Sequence, residues 1–124
     1  MRPVFIAALL ALPLPALAQD SPAPQRVEVR LSSFAFAPRE IILPAGRPVV
    51  LHLVNSGGGG HNFSAPDFFA AASGVSGPVV EGEVEVPGNR SVEIGLTPAR
   101  GRYRLRCTHT MHTAFGMRGT ILVE

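Results

Sequence analysis

Residues 101–117 read GRYRLRCTHTMHTAFGM, an alternating segment followed by a loop that carries a thiol, imidazoles and thioethers. In the first part Tyr103, Leu105 and Cys107 alternate with arginines. A period of two is typical of a strand with one buried face. The stretch therefore predicts a strand whose inward face ends at Cys107 and that leads directly into the loop.

Short alternating or strongly apolar segments recur through the rest of the chain. Beside 101–107, strands are expected at 27–32, 34–43, 48–55, 80–86, 91–96 and 120–124. Residues 61–77 are the least regular part, with one or two helical turns expected at 68–72. The 13 Gly and 12 Pro argue against long helices. Roughly seven or eight short strands predict an all-β fold, an antiparallel sandwich or barrel.

Length and the N-terminal sequence predict the domain organisation. A chain of 124 residues holds one core. Residues 1–18 predict a cleaved signal peptide, because Arg2 precedes an apolar run and 16–18 form a small-x-small cleavage site. The run is too short to cross a bilayer as a helix, so no membrane anchor is expected. We expect export to the periplasm, a flexible lead-in at 19–25 and one domain at 26–124.

Charge and cysteine content exclude several classes of protein. The formal net charge of +2 is too small for a nucleic-acid scaffold, so no nucleic-acid partner is expected. One cysteine excludes an intramolecular disulfide framework and a cysteine-rich zinc module. In an oxidising compartment a lone thiol is a liability unless it is buried or bonded, so Cys107 points to a metal.

The loop contains donors that suit copper. Thiolate and thioether ligands favour Cu(I), and imidazole binds copper in both oxidation states. Two imidazoles, one thiolate and a distant thioether form the ligand set of blue-copper electron-transfer sites. His61 follows a β-prone run and the SGGGG turn at 56–60, so it is the candidate for the second imidazole. The predicted copper ligands are His61, Cys107, His112 and Met117.

These residues resemble the cupredoxins, the small blue-copper proteins. The matching elements are His61-Asn62, Tyr103, Cys107, His112, Met117, Gly119 and the segment 120–123. The Cys-x₄-His-x₄-Met spacing is most similar to that of rusticyanin. The resemblance implies a Greek-key β-sandwich, one copper ion in a type 1 site, and one-electron exchange with a redox partner protein. Asn62 is expected to tie the His61 segment to the Cys107 loop.

Two other side chains leave alternatives open around this site, and one further histidine does not. His109 follows Cys107 by two residues, so it could replace or supplement His112 as a ligand. Met111 is the rival thioether to Met117. His52 alternates with apolar neighbours and is expected to point outward without a metal role.

The sequence also leaves three rival functions. A periplasmic copper carrier or resistance protein would bind and release the ion, and a flexible SGGGG loop would suit such exchange. An enzyme is not expected, because one domain with 4 His lacks the histidine clusters of a multicopper oxidase. A metal-free interaction sandwich is the third.

The arginines at 100, 102, 104, 106 and 118 form a local basic cluster. They predict either a solvated strand face or a docking surface for an acidic redox partner.

Overall fold

The computed structural model describes residues 1–4, 10–16, 23–32, 34–109 and 116–124. The elements of these residues are, in chain order, β1 (Gln25–Ser32), β2 (Ala35–Ala37), β3 (Glu40–Leu43), β4 (Val49–Asn55), β5 (His61–Ser64), α1 (Pro66–Ala71), β6 (Ser73–Ser76), β7 (Glu83–Val86), β8 (Arg90–Thr97), β9 (Gly101–Arg106) and β10 (Arg118–Val123). They form a β-sandwich of two five-stranded sheets, with strand orders β2-β1-β4-β8-β6 and β3-β10-β9-β5-β7. The all-β prediction is confirmed.

The strand count and the strand directions differ from the prediction. Ten strands are described instead of seven or eight, and β5 and β6 both come from the segment 61–77. The pairs β1–β4 and β3–β10 are parallel, whereas an antiparallel arrangement was expected. The chain crosses from one sheet to the other between these strands, and such a crossover permits parallel pairing.

Alternating side chains of both sheets fill the space between them. Leu51 and Leu53 of β4 are fully buried, and Phe63, Leu105 and Ile121 face them from the second sheet's side of the core. Burying each of these side chains stabilises the fold by roughly 1.5–3 kcal/mol. The expected alternation of the long strands is therefore the basis of the observed core.

The short helix α1 closes the core beside β9. Pro66 lies in its first turn, where a missing backbone N–H costs no hydrogen bond. Phe68 and Phe69 are buried, and the Phe68 ring lies 5.5 Å from the Tyr103 ring in an edge-on contact. The helix begins two residues before the expected 68–72 turn. Within the described residues no helix is long and apolar enough to cross a bilayer.

The second sheet brings the sequence-predicted segments side by side. In the second sheet, β9 lies between β10 and β5. β9 ends directly before Cys107, and β10 begins directly after Met117. His61 begins β5 at the same end of the sheet. This end is where a shared site would form.

Candidate metal centre

Cys107 and Met117 lie at the two ends of the loop that joins β9 to β10. Arg106 pairs with Arg118 at the end of the antiparallel ladder. One step further, the Cys107 backbone N–H donates to the Met117 carbonyl at 3.1 Å. Both side chains have 0% of their surface exposed. The structure therefore places Cys107 and Met117 at neighbouring backbone positions, with both side chains in the buried interior.

His61 lies on the neighbouring strand, directly before the residue that contacts this thiol. It pairs with Val86 of β7 and is only 7% exposed. The backbone N–H of the next residue, Asn62, donates to the Cys107 Sγ at 3.4 Å. Three of the four predicted ligands thus belong to one end of the second sheet.

His112 and Met111 lie outside the described residues, so the fourth ligand and the rival thioether are not placed. Within the part of the chain that the structure describes, no three His, Cys, Asp or Glu side chains form a metal-binding group. Of the four predicted ligands, the described residues are His61, Cys107 and Met117, which supply one imidazole, one thiol and one thioether. The ligand roles stay predictions.

His109 faces the edge strand of the sheet. Its Nε2 lies 2.8 Å from Oε2 of Glu85 on β7, and about a third of its side chain is exposed. His52 lies on β4 between buried Leu51 and Leu53, and its Nδ1 is 3.4 Å from the Glu93 carboxylate.

Asn62 joins the His61 strand to the Cys107 loop, as predicted. Its Oδ1 accepts the Thr108 backbone N–H at 2.8 Å, and its Nδ2 donates to Thr108 Oγ1 at 2.7 Å and to Glu85 Oε1 at 3.1 Å. The amide is almost completely buried. Glu85 and Thr108 were not identified from the sequence. The alternating sequence of β7 places Glu83 and Glu85 on one face of the strand. The sequence alone does not show which strand β7 pairs with, so the contacts of Glu85 could not be predicted.

The glycine-rich turn before His61 is held in place, whereas the sequence predicted a flexible loop. The buried Asn55 donates from Nδ2 to the Gly59 carbonyl at 2.8 Å and to the Val86 carbonyl at 3.0 Å. The Asn89 backbone N–H donates to the Gly57 carbonyl at 2.9 Å. These bonds tie the entry to β5 against the turn between β7 and β8.

Comparison with known proteins identifies the family. A model of the cupredoxin-like domain matches residues 3–123. The chain belongs to the cupredoxin family. No curated protein sequence matches it.

Solved structures with the same architecture include blue-copper proteins. Auracyanin B is 30% identical, with a TM-score of 0.62 over 84% of this chain and 92% of that chain. Auracyanin A, a "blue" copper protein of Chloroflexus aurantiacus, is 20% identical, with a TM-score of 0.59 over 82% of this chain and 100% of that chain. The resemblance to the cupredoxins is confirmed, and the specific likeness to rusticyanin stays a prediction.

The solved structures with this fold also include an enzyme. The multicopper oxidase McoA of Aquifex aeolicus is 17% identical, with a TM-score of 0.64 over 82% of this chain but only 29% of that chain. A likeness at this identity concerns the fold alone.

The described donors of this cupredoxin fit a copper ion chemically. The Cys107 sulfur accepts the Asn62 backbone N–H, and a cysteine sulfur is a metal ligand in its thiolate form. The burial of Cys107, Met117 and His61 keeps water from the donors. Thiolate and thioether donors suit copper and do not suit Mg²⁺ or Ca²⁺.

Arginines cover the outer face of β9 and β10 beside this end of the cupredoxin. Arg102, Arg104 and Arg106 are exposed and alternate with inward side chains, as predicted. Arg104 and Arg106 line a shallow cavity of about 520 Å³ together with Arg118. Among the described residues, neither Arg104 nor Arg106 forms a salt bridge, whereas Arg102 is 3.9 Å from Glu40.

Proposed function

We propose that this cupredoxin is an electron carrier with one copper ion in a type 1 site formed by His61, Cys107, His112 and Met117. The observation that carries the proposal is the meeting of a buried thiol, imidazole and thioether segment at one end of β5, β9 and β10. Membership of a family with blue-copper structures supports it.

Copper supplies a centre that changes its charge by one electron. The protein would hold the same donor atoms around the ion in the Cu(I) and Cu(II) states. Cys107 would bind as a thiolate with the Asn62 N–H directed at its sulfur. Met117 would supply the thioether, a weak donor whose identity tunes the potential. Because the surrounding sheet is hydrogen-bonded and close-packed, little would rearrange when the electron moves.

The alternative is a copper carrier or resistance protein that binds and releases the ion. Release would be eased by exposed ligands and a mobile entry loop. The described candidate ligands are buried, and Asn55 and Asn89 hold the glycine-rich turn. These features favour retained copper, so electron transfer without a catalysed reaction is the function that we propose.

We further propose export to the periplasm after cleavage of residues 1–18, as the N-terminal pattern indicates. N-terminal sequencing of the protein recovered from a periplasmic extract should begin at Gln19. Recovery of the uncleaved chain in the cytoplasm would contradict this.

We also propose that the redox partner docks through an acidic surface. Arg106 adjoins Cys107, and Arg118 adjoins Met117, so a partner on this face would lie next to both sulfur residues. Complementary charge mainly accelerates encounter.

A copper titration tests the central proposal. Adding Cu(II) to the copper-free protein should produce the intense visible absorption of a thiolate–Cu(II) site, with saturation at one equivalent. Cys107→Ser should remove the band because it removes the thiolate. A colourless wild type, or a band that survives in Cys107→Ser, would contradict the type 1 assignment.

The same sample separates the two copper functions. A carrier of electrons should show a reversible one-electron wave and should lose Cu(I) slowly to a mild chelator. Rapid loss of Cu(I) without a reversible wave would favour the copper-handling function instead.

A further inference from the structure

Glu85 joins three separate segments beside the candidate copper centre. It lies on β7, directly opposite Asn62 of β5. Its Oε1 accepts a hydrogen bond from the Asn62 side chain at 3.1 Å, and its Oε2 lies 2.8 Å from Nε2 of His109. One carboxylate therefore connects the edge strand, the strand of His61 and the first turn of the loop after Cys107.

The Asn62 amide needs this carboxylate to satisfy its hydrogen bonds. The Nδ2 group has two N–H donors, and the observed partners are Thr108 Oγ1 and Glu85 Oε1. Because the amide is buried, an unused donor would be costly and would favour rotation or displacement of the side chain. The Asn62 backbone N–H is the donor to the Cys107 sulfur, so the position of Asn62 bears on the thiolate.

His109 restrains the other end of the same carboxylate. The carboxyl group of Glu85 is largely exposed, and an exposed side chain alone would change rotamer freely. The imidazole holds Oε2 while Asn62 holds Oε1, so both oxygens are engaged at once. The Gly60 Cα lies against the His109 ring, where a Cβ would be 3.4 Å from Cε1. The imidazole thus packs between β7 and the turn before His61.

We propose that Glu85 and His109 form a latch that positions Asn62 and Thr108 against Cys107, and that His109 serves this purpose instead of binding copper. The inference rests on the proposed copper function and deepens it. Both latch residues are positioning residues, because they act on the thiolate only through Asn62 and Thr108. Outer partners of metal ligands have large effects of this kind on metal affinity.

The latch is tested with copper-loaded wild type, Glu85→Ala, His109→Ala and the double variant. Each single variant should release Cu(I) to a chelator about 10-fold faster. The double variant should be no faster than the faster single one, because either substitution already opens the latch. All variants should keep the thiolate–Cu(II) band, with a shifted maximum and altered paramagnetic-resonance hyperfine splitting.

Two further variants separate the hydrogen bonds from charge. Glu81→Gln removes one negative charge from an exposed residue two positions before β7, and release should stay as in wild type. Glu85→Gln keeps an oxygen acceptor for Asn62 and an amide that can bond to the imidazole, so it should restore slow release. Equal acceleration in Glu81→Gln and Glu85→Ala would overturn the latch and leave a general charge effect.

Loss of the visible band in His109→Ala would also overturn the proposal, because it would make His109 a ligand. A rate of Cu(I) release that is unchanged in both Glu85→Ala and His109→Ala would also overturn the proposal. Amide hydrogen exchange of copper-free protein provides a readout that needs no metal. The Thr108 amide should exchange faster in Glu85→Ala than in Glu81→Gln. A wild type that forms no band contradicts the proposed function, whereas equal exchange contradicts the latch.

Discussion

At the scale of single residues, Gly88 allows the turn between β7 and β8 to touch the glycine-rich turn before His61. A Cβ on Gly88 would collide with the Gly58 carbonyl and would lie 3.1 Å from the Gly57 oxygen. Gly88→Ala should therefore push the two turns apart and lower the free energy of unfolding by about 1–3 kcal/mol. Chemical denaturation of the copper-free protein measures this change.

Gly58→Ala is the matched control. A Cβ at Gly58 would meet no atom within 4 Å. The same glycine-to-alanine change at this position should leave the free energy of unfolding unchanged or raise it by up to about 1 kcal/mol, because the reduced flexibility of the unfolded chain is then the main effect. Equal destabilisation by both substitutions would show that the contact at Gly88 is not the cause.

Met117→Leu tests the proposed thioether ligand without disturbing the core. Leucine has a similar volume, so the fully buried site should lose less than about 1.5 kcal/mol of stability. Leucine leaves the site with one donor fewer and a more apolar lining, which costs the doubly charged Cu(II) more than Cu(I), so the reduction potential should rise while the visible band persists. Voltammetry of the copper-loaded protein gives the answer. An unchanged potential would contradict copper ligation by Met117.

At the scale of strands, Glu93 of β8 bonds to Arg26 of β1 across the intervening β4. The two side chains are 2.6 Å apart. The hydrogen bond and the charge of Arg26 lower the pKa of the Glu93 carboxyl from its ordinary value of 4.5, and His52 contributes to the same shift. Because the pKa of Glu93 is lower in the folded state than in the unfolded state, the ionised carboxylate stabilises the fold at pH values above the unfolded-state pKa.

This stabilisation should disappear as the pH falls through the lowered pKa of Glu93. At neutral pH, Glu93→Gln should unfold at slightly lower denaturant concentration than wild type, and at strongly acidic pH the two should coincide. Glu81→Gln serves as the control and should follow wild type throughout. A Glu93→Gln difference that persists in acid would mean that the carboxylate charge is not responsible. The effect should be small because the pair is exposed.

Strand prediction succeeded where one face of a strand is buried and the other is not. In β1 the buried Val29 and Leu31 alternate with exposed charged residues, and the sequence pattern shows this alternation directly. In β5 all four residues are buried, and in β6 all four are exposed. Burial therefore does not alternate along either strand, because β5 is covered on both faces and β6 lies at the edge of its sheet. Pairing with distant strands makes these segments strands, and a local pattern does not contain that information.

The candidate site was predictable to the extent that residue chemistry determines it. Cys107 and Met117 were identified because soft donors are rare and close together in the loop, and the structure buries both. Glu85 was missed because its role depends on the pairing of β7 with β5. The sequence identified His109 as a candidate but could not give its role, because a local sequence pattern does not reveal a carboxylate on a neighbouring strand.

At the scale of the whole molecule, charge is distributed unevenly despite a net charge of only +2. The arginine face of β9 and β10 lies beside the end of the sheet with Cys107. Electron exchange with a small anionic oxidant such as hexacyanoferrate should therefore be fast at low salt and slower as salt rises. Arg104→Glu combined with Arg106→Glu should slow this reaction about 10-fold or more and reverse its salt dependence.

Arg47→Glu and a cationic reagent are the controls for this charge effect. Arg47 is exposed in the turn between β3 and β4, at the opposite end of the sandwich. Its reversal changes the net charge without changing the arginine face, so the rate with hexacyanoferrate should change little. Hexaammineruthenium, a cation, should respond to the double reversal in the opposite sense. Identical responses to all variants would exclude local steering.

The complete burial of the lone thiol gives the molecule an internal reporter of its own opening. An alkylating reagent reaches this sulfur only in molecules whose strands have separated around it, so in the copper-free protein the labelling rate counts the transiently open fraction. No dye, tag or engineered cysteine is required. Mass spectrometry of intact protein after timed quenching would then follow breathing of the sandwich under any condition, including inside a cell extract.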